Sequence, residues 1–164
     1  MKTEAAKCAA AIRKYMKAKG VKASVTSKNY SMGDSVNVKI KEIIDPKVLN
    51  EINDDLAIYQ YGKFDGMQDL YENTNVMDEI PQTKYLFIEY DYKVADVFTE
   101  TLVEILKDKI NVNDSNPEYQ YQQMARGILY GREQFMTFGE ACAAIIEYCN
   151  KNEAAEAAPT TSKK

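Results

Sequence analysis

Four lysines, Lys22, Lys28, Lys39 and Lys41, fall an even number of residues apart within two short runs of alternating polarity. Ammonium groups set on one pleated face in this way can track phosphates, the contacts that position a nucleic acid without reading its sequence. Tyr30 lies between the runs, where its ring can stack on a base. Lys14 and Lys17, on the polar side of a preceding helix, extend the basic character. Ser24, Thr26 and Asn37 share the lysine face, and only Asp34 opposes it. The same pattern equally suits a polar outer surface that keeps a sheet edge from aggregating, a usual role of lysine. Arginine is scarce, which weighs against a dedicated reader of base edges.

Other chemistry is narrower. The chain has no histidine, so the imidazole base of common Ser and Cys triads is missing, as are His-ligated metal sites. Asp65, Asp69 and Glu72 are close enough in sequence to gather round a hard cation, but their spacing matches no calcium loop. A helix cap at Asp65 and a first-turn charge at Asp69 account for two of them without metal. Asp96, Glu100 and Glu104 recur every fourth residue, an acidic stripe that either mimics a phosphate array or faces water. No two carboxylates stand out as an acid–base pair, and no metal site, cofactor or catalytic residue is assigned. Cys142 and Cys149 lie two helical turns apart, about 10.5 Å of rise, too far to bridge. With Cys8 they read as core positions. Twelve tyrosines and no tryptophan complete the inventory. Tyr59, Tyr61, Phe64 and Tyr71 are the candidates for contact with a protein partner, because such rings bury area while a hydroxyl stays satisfied; Tyr119 and Tyr121 cluster similarly. Tyrosines of this kind equally cover the open side of a small sheet.

The elements that must position these residues follow from periodicity. Thr3 caps a helix to about Ala18, with Ala5, Cys8, Ile12, Tyr15 and Met16 on one side, and Gly20 ends it. Val21–Lys28 and Ser35–Lys41 alternate with period two around a turn at Asn29–Asp34, an antiparallel hairpin. Asp45-Pro46 starts a second helix through Val48, Leu49, Ile52, Leu56 and Tyr59. One or two helical turns are expected after Asp65, whose Asp-x-x-Gln spacing resembles a capping box. Lys84–Tyr92 predicts a strand with Leu86, Ile88 and Tyr90 opposite Tyr85, Phe87 and Glu89. Helices then follow at Val94–Ile110, at Pro117 to about Tyr130, and after the capping box Thr137-Phe-Gly-Glu140.

This order predicts an α+β fold: a small antiparallel sheet with helices mainly on one face, and a C-terminal helical pair. Residues 1–112 form the α+β domain, 113–152 a helical extension packed on it, and 153–164 a disordered tail too poor in large apolar groups to repay ordering. The chain of 164 residues suits one core, and no apolar run approaches the ~20 residues of a membrane span. No secretion signal opens the chain, and three cysteines suit a reducing compartment, so a cytoplasmic location is expected. Charge is uneven. Residues 1–50 hold 11 Lys+Arg against 4 Asp+Glu, leaving 10 against 21 for the remainder of a chain whose totals are 21 and 25. A basic end on an acidic chain suits a polyanion partner or a solvated face.

At Ala11-Ile-Arg-Lys14, Lys22 through Val38, and Tyr59-Gln-Tyr-Gly-Lys-Phe-Asp-Gly-Met-Gln-Asp-Leu-Tyr-Glu72, the sequence resembles a large polyvalent protein-associated domain, the twenty-ninth of that series, over about residues 5–92. The resemblance implies a phage or conjugative-element origin, a bacterial host cytoplasm, and roles in protecting or establishing incoming DNA. It transfers no catalytic residue. The expectation is a non-enzymatic accessory protein that binds nucleic acid through the lysine-lined hairpin; the alternative is a protein-binding counter-defence factor that inhibits a host complex.

Overall fold

A computed structural model describes residues 2–133 and 135–157. The chain divides between Val94 and Ala95 into two compact units.

The first unit opens with α1 (Glu4–Lys19). Thr3 caps it by accepting the Ala6 N–H at 3.2 Å, and Gly20, at φ 77°, turns the chain out of the helix through its N–H to the Lys17 carbonyl. A side chain in that left-handed conformation costs about 1 kcal/mol or more, which is why glycine stands there. Strands β1 (Ala23–Tyr30) and β2 (Gly33–Ile40) pair antiparallel with Tyr30 opposite Gly33. The turn expected over six residues therefore shrinks to Ser31-Met32, because both strands extend two residues further toward the tip.

Pairs such as Val25–Val38 and Ser27–Val36 place Ala23, Val25, Val36, Val38 and Ile40 on one face. That face packs on Ala5, Cys8, Ile12 and Met16 of α1, with Val36, Val38, Ile40 and Ile12 wholly buried. Helix α2 (Pro46–Leu56), capped by Asp45, buries Leu49, Ile52 and Leu56. It sits beside α1 through Tyr15–Asp55 and Lys19–Glu51 contacts. Burying each Ile or Leu side chain is worth about 1.5–3 kcal/mol, so this apolar layer carries most of the unit's stability.

Strand β5 (Tyr85–Tyr90) joins the free edge of β2, and it does so parallel, with Val36, Val38 and Ile40 opposite Leu86, Ile88 and Tyr90. The α+β class holds, and the three-stranded sheet is mixed where a wholly antiparallel one was expected. The physical reason is the connection: α2 and the long segment after it return the chain to the end of the sheet where β2 begins. In place of the helical turns expected after Asp65 there is a second hairpin, β3 (Lys63–Asp65) against β4 (Leu70–Glu72). Asp65 does accept an N–H, that of Met67 at 2.9 Å, but the bond closes a turn. An Asp side chain caps turns and helices by the same local bond, so the spacing alone did not separate them.

Helix α3 (Tyr92–Lys109) begins in the last residues of the first unit; in the second unit it buries Phe98, Leu102, Ile105 and Leu106, and α4 (Pro117–Leu129) contributes Tyr121, Ala125, Ile128 and Leu129. Thr137 and Glu140 form the expected reciprocal capping box, at 3.1 and 2.9 Å, ahead of α5 (Phe138–Ala157). The cysteine assignment is corrected in part. Cys8 is buried, but Cys142 is half-buried and Cys149 exposed, because among the residues of α5 whose burial is described the stripe covers only Ala141 fully. Helix α5 continues through 153–157, and the rest of the tail expected to be disordered lies outside the described residues.

Candidate nucleic-acid interface

The register of the first unit builds the outer sheet face row by row. Lys28, Ser35 and Tyr85 form one row, Thr26, Asn37 and Phe87 the next, and Ser24, Lys39 and Glu89 the third. Lys22 and Lys41 follow at the open end of the ribbon, where the Lys41 N–H bonds the Lys22 carbonyl at 2.8 Å. Helix α1 occupies the inner side, and Thr26, Lys28 and Phe87 are exposed on the outer one. The four hairpin lysines are thus brought together. Lys14 and Lys17 are exposed on the side of α1 away from the sheet, a separate basic surface.

The lysines differ in electrostatic standing. Lys39 is paired with Glu89, and Lys41 with Asp91 at 2.6 Å. The Lys41 hydrogen bond, helped by the Lys93 backbone N–H, holds the Asp91 carboxyl below its ordinary value. Among the described residues Lys22 and Lys28 have no carboxylate partner at ion-pair distance. The Lys22 backbone N–H does bond Glu42 at 3.0 Å. Exposed pairs of this kind add little to stability; their effect here is to halve the charge the face presents.

Aromatic rings replace that charge on the β5 side. Phe87 and Tyr85 lie with near-parallel planes, centroids 6.2 Å apart, and Tyr71 meets Tyr85 edge-on at 5.4 Å. Tyr61 in turn meets Tyr71 at 5.8 Å, so a chain of rings runs from the open face to the β3–β4 hairpin. Lys84 holds the corner: its ammonium lies 4.9 Å from the Tyr71 ring centroid and 5.6 Å from that of Tyr85, and donates to the Met32 carbonyl at 2.9 Å. Burial raises the Tyr61 and Tyr71 hydroxyls above the usual tyrosine value, which keeps both rings neutral. Tyr30, at the hairpin tip, is 47% exposed and donates to the Asp34 carbonyl.

A polar scaffold holds the irregular stretch that carries these rings. Asp34 accepts the Thr83 hydroxyl and the Lys84 N–H, both at 2.8 Å. Gln82, buried, donates to the Ile58 and Asn75 carbonyls, and Gln60 accepts the Leu86 N–H while donating to Gly62. Satisfying buried amides this way is what allows a stretch without regular ladders to be ordered. Gln60, Gln82, Thr83 and Lys84 were not singled out from the sequence, nor were Tyr85 and Phe87 as site residues, and Asp34 was read there only as a charge opposing the lysines. The alternation of β5 located both rings on one face; only its pairing with β2 sets that face beside the lysines.

Of the partner-contact candidates, Tyr59, Tyr61 and Tyr71 are half-buried, whereas Phe64 is 53% exposed. Phe64 shares its hairpin with Met67, 98% exposed, and Leu70, 53% exposed. Among the described residues no three His, Cys, Asp or Glu side chains are grouped to hold a metal ion. In the second unit Asp96, Glu100 and Glu104 line a groove of about 200 Å³ with Glu118 and Arg126, and Lys107 bridges Glu104 and Glu118 at 3.3 and 2.8 Å. No helix among the described residues is long and apolar enough to cross a membrane.

A family model for large polyvalent protein associated domain 29 matches residues 3–102, more than half of the chain. The chain belongs to that family. The match takes in the basic ribbon, the ring-bearing stretch and β5, and runs further at both ends than the resemblance read from motifs. Membership in the domain 29 family associates the chain with phage. Comparison with curated proteins and with solved structures finds no match.

Proposed function

We propose that this domain 29 chain is a non-enzymatic phage accessory protein that works by binding nucleic acid on the outer face of its three-stranded sheet. The observation that supports this is the sharing of one exposed face by Lys22, Lys28, Thr26, Asn37 and Phe87, with Tyr30 at its tip. Ammonium groups supply phosphate contacts, uncharged amide and hydroxyl groups supply hydrogen bonds, and rings supply stacking. Anisotropy titrations with labelled single- and double-stranded DNA and RNA at ~50 and ~200 mM salt test it. Binding that weakens with salt and is lost when Lys22 and Lys28 are both changed to Glu supports the proposal, and no binding at the lower salt overturns it.

A second reading, a counter-defence factor that binds a host protein complex, is favoured by the exposed apolar hairpin of Phe64, Met67 and Leu70. Apolar groups clustered at an exposed tip suit a protein pocket better than a polyanion. Its test is capture of a host complex after nuclease treatment, abolished when those three residues are changed to Ser.

A further inference from the structure

We infer that the ligand of the sheet face is a single strand whose bases stack on Phe87 and Tyr85 while its backbone runs along Lys28 and Tyr30. This inference rests on the proposed nucleic-acid function and names the form of nucleic acid.

The charge distribution comes first. A duplex is held mainly through its phosphates, and a face on which Glu89 and Asp91 occupy two of four lysines offers few such contacts. The rings come second. Phe87 leaves 49% of its surface in water in the middle row of the face, where its cross-strand neighbours Asn37 and Thr26 are polar and its ring contact is Tyr85 on its own strand. A ring so placed stabilises a complex only when a flat apolar partner covers it, and the bases of a duplex are already covered by one another. In a single strand they are free, and each contributes about 1–3 kcal/mol on an aromatic platform.

Geometry is the third consideration. The Tyr85 and Phe87 planes differ by 11°, so bases resting on them stay parallel, as successive bases of a single strand do. Lys28 lies in the same row as Tyr85, two strands away, a lateral distance of about 10 Å. A strand crossing the sheet can therefore keep a phosphate at β1 and its bases at β5. Asn37, between them on β2, offers an amide to a base edge. Lys84 is committed to Tyr71, Tyr85 and the Met32 carbonyl, which makes it a support for the platform.

The absence of tryptophan supplies the experiment. The Phe87→Trp variant carries a single indole at the site, to be titrated with an oligothymidylate of about ten nucleotides and with a duplex of equal length. Expected are quenching of the indole by the single strand and binding of it at least tenfold tighter than of the duplex. Phe87→Ala, folded by circular dichroism, should bind the single strand about tenfold or more weakly. Phe87→Leu, which keeps the size but not the π face, should be nearly as weak. Equal affinity for duplex and single strand, with Phe87→Ala neutral and Lys28→Glu damaging, overturns the inference and leaves the nucleic-acid function standing. Failure of both probes to bind removes both.

Discussion

Cys8 shows how burial determines the chemistry of a single residue. Its side chain is fully buried between α1 and the sheet, with its thiol toward the Tyr59 carbonyl at 3.9 Å. Burial above all, then the Asp34 and Glu4 carboxylates, pushes the thiol up to about 12. A thiol held protonated stabilises the fold below the ordinary thiol range, near 8.5, and that contribution is lost as pH climbs toward the folded value. We expect Cys149 to react with a disulfide reagent at pH 8 at once, and Cys8 only when the chain unfolds. Melting temperature should fall as pH rises above 9, less steeply in Cys8→Ala. Equal labelling rates for Cys8 and Cys149 would contradict the burial. Asp34 is the second residue to test. Removing its carboxylate in Asp34→Ala takes the acceptor from the Lys84 N–H and leaves the buried Thr83 hydroxyl with the longer contact to the Tyr85 carbonyl, at 3.4 Å. The expected cost in urea unfolding is about 1–3 kcal/mol, with Asp34→Asn milder because it keeps an acceptor oxygen.

Among the elements, the β3–β4 hairpin is the one whose identity local signals left undecided. Asp65 makes the bond that a capping box requires, yet three paired residues on each side and Asp69 at φ 51° make a turn of it. What closes the hairpin against the chain is Gly62, where a Cβ would run into the Glu72 carbonyl and the Tyr71 ring. Overpacking of this kind costs about 1–3 kcal/mol. Gly62→Ala should therefore lose the near-ultraviolet tyrosine signal of the Tyr61–Tyr71–Tyr85 chain while keeping its far-ultraviolet helix signal. The ribbon β1–β2 behaves oppositely. Its antiparallel pairing and its lysine face were legible, because alternation states directly which residues share a face, whereas its turn was expected over six residues and spans two. Whether that face is strongly basic was not legible, since Glu89 of β5 and Asp91 just after it arrive from about fifty residues away.

The whole chain is acidic, with a formal charge of −4, and its basic residues gather in the first third. Binding of a polyanion must therefore be local and short-ranged. With two or three phosphates neutralised, affinity for a single strand should fall only about tenfold between ~50 and ~200 mM salt. A fall of a thousandfold would mean that many more lysines take part, those of α1 included.

Periodicity in the sequence decided the helices, their caps, the ribbon and the α+β class, since each of these follows from which side of a helix or strand is apolar. It also put Tyr85 and Phe87 on a common face of their strand. Only the tertiary structure decided that this strand lies parallel to β2, that its carboxylates neutralise half the lysines, and that its rings stand beside the remaining ones. Strand pairing across such a separation is chosen by burial summed over the whole unit, and no local pattern carries that sum.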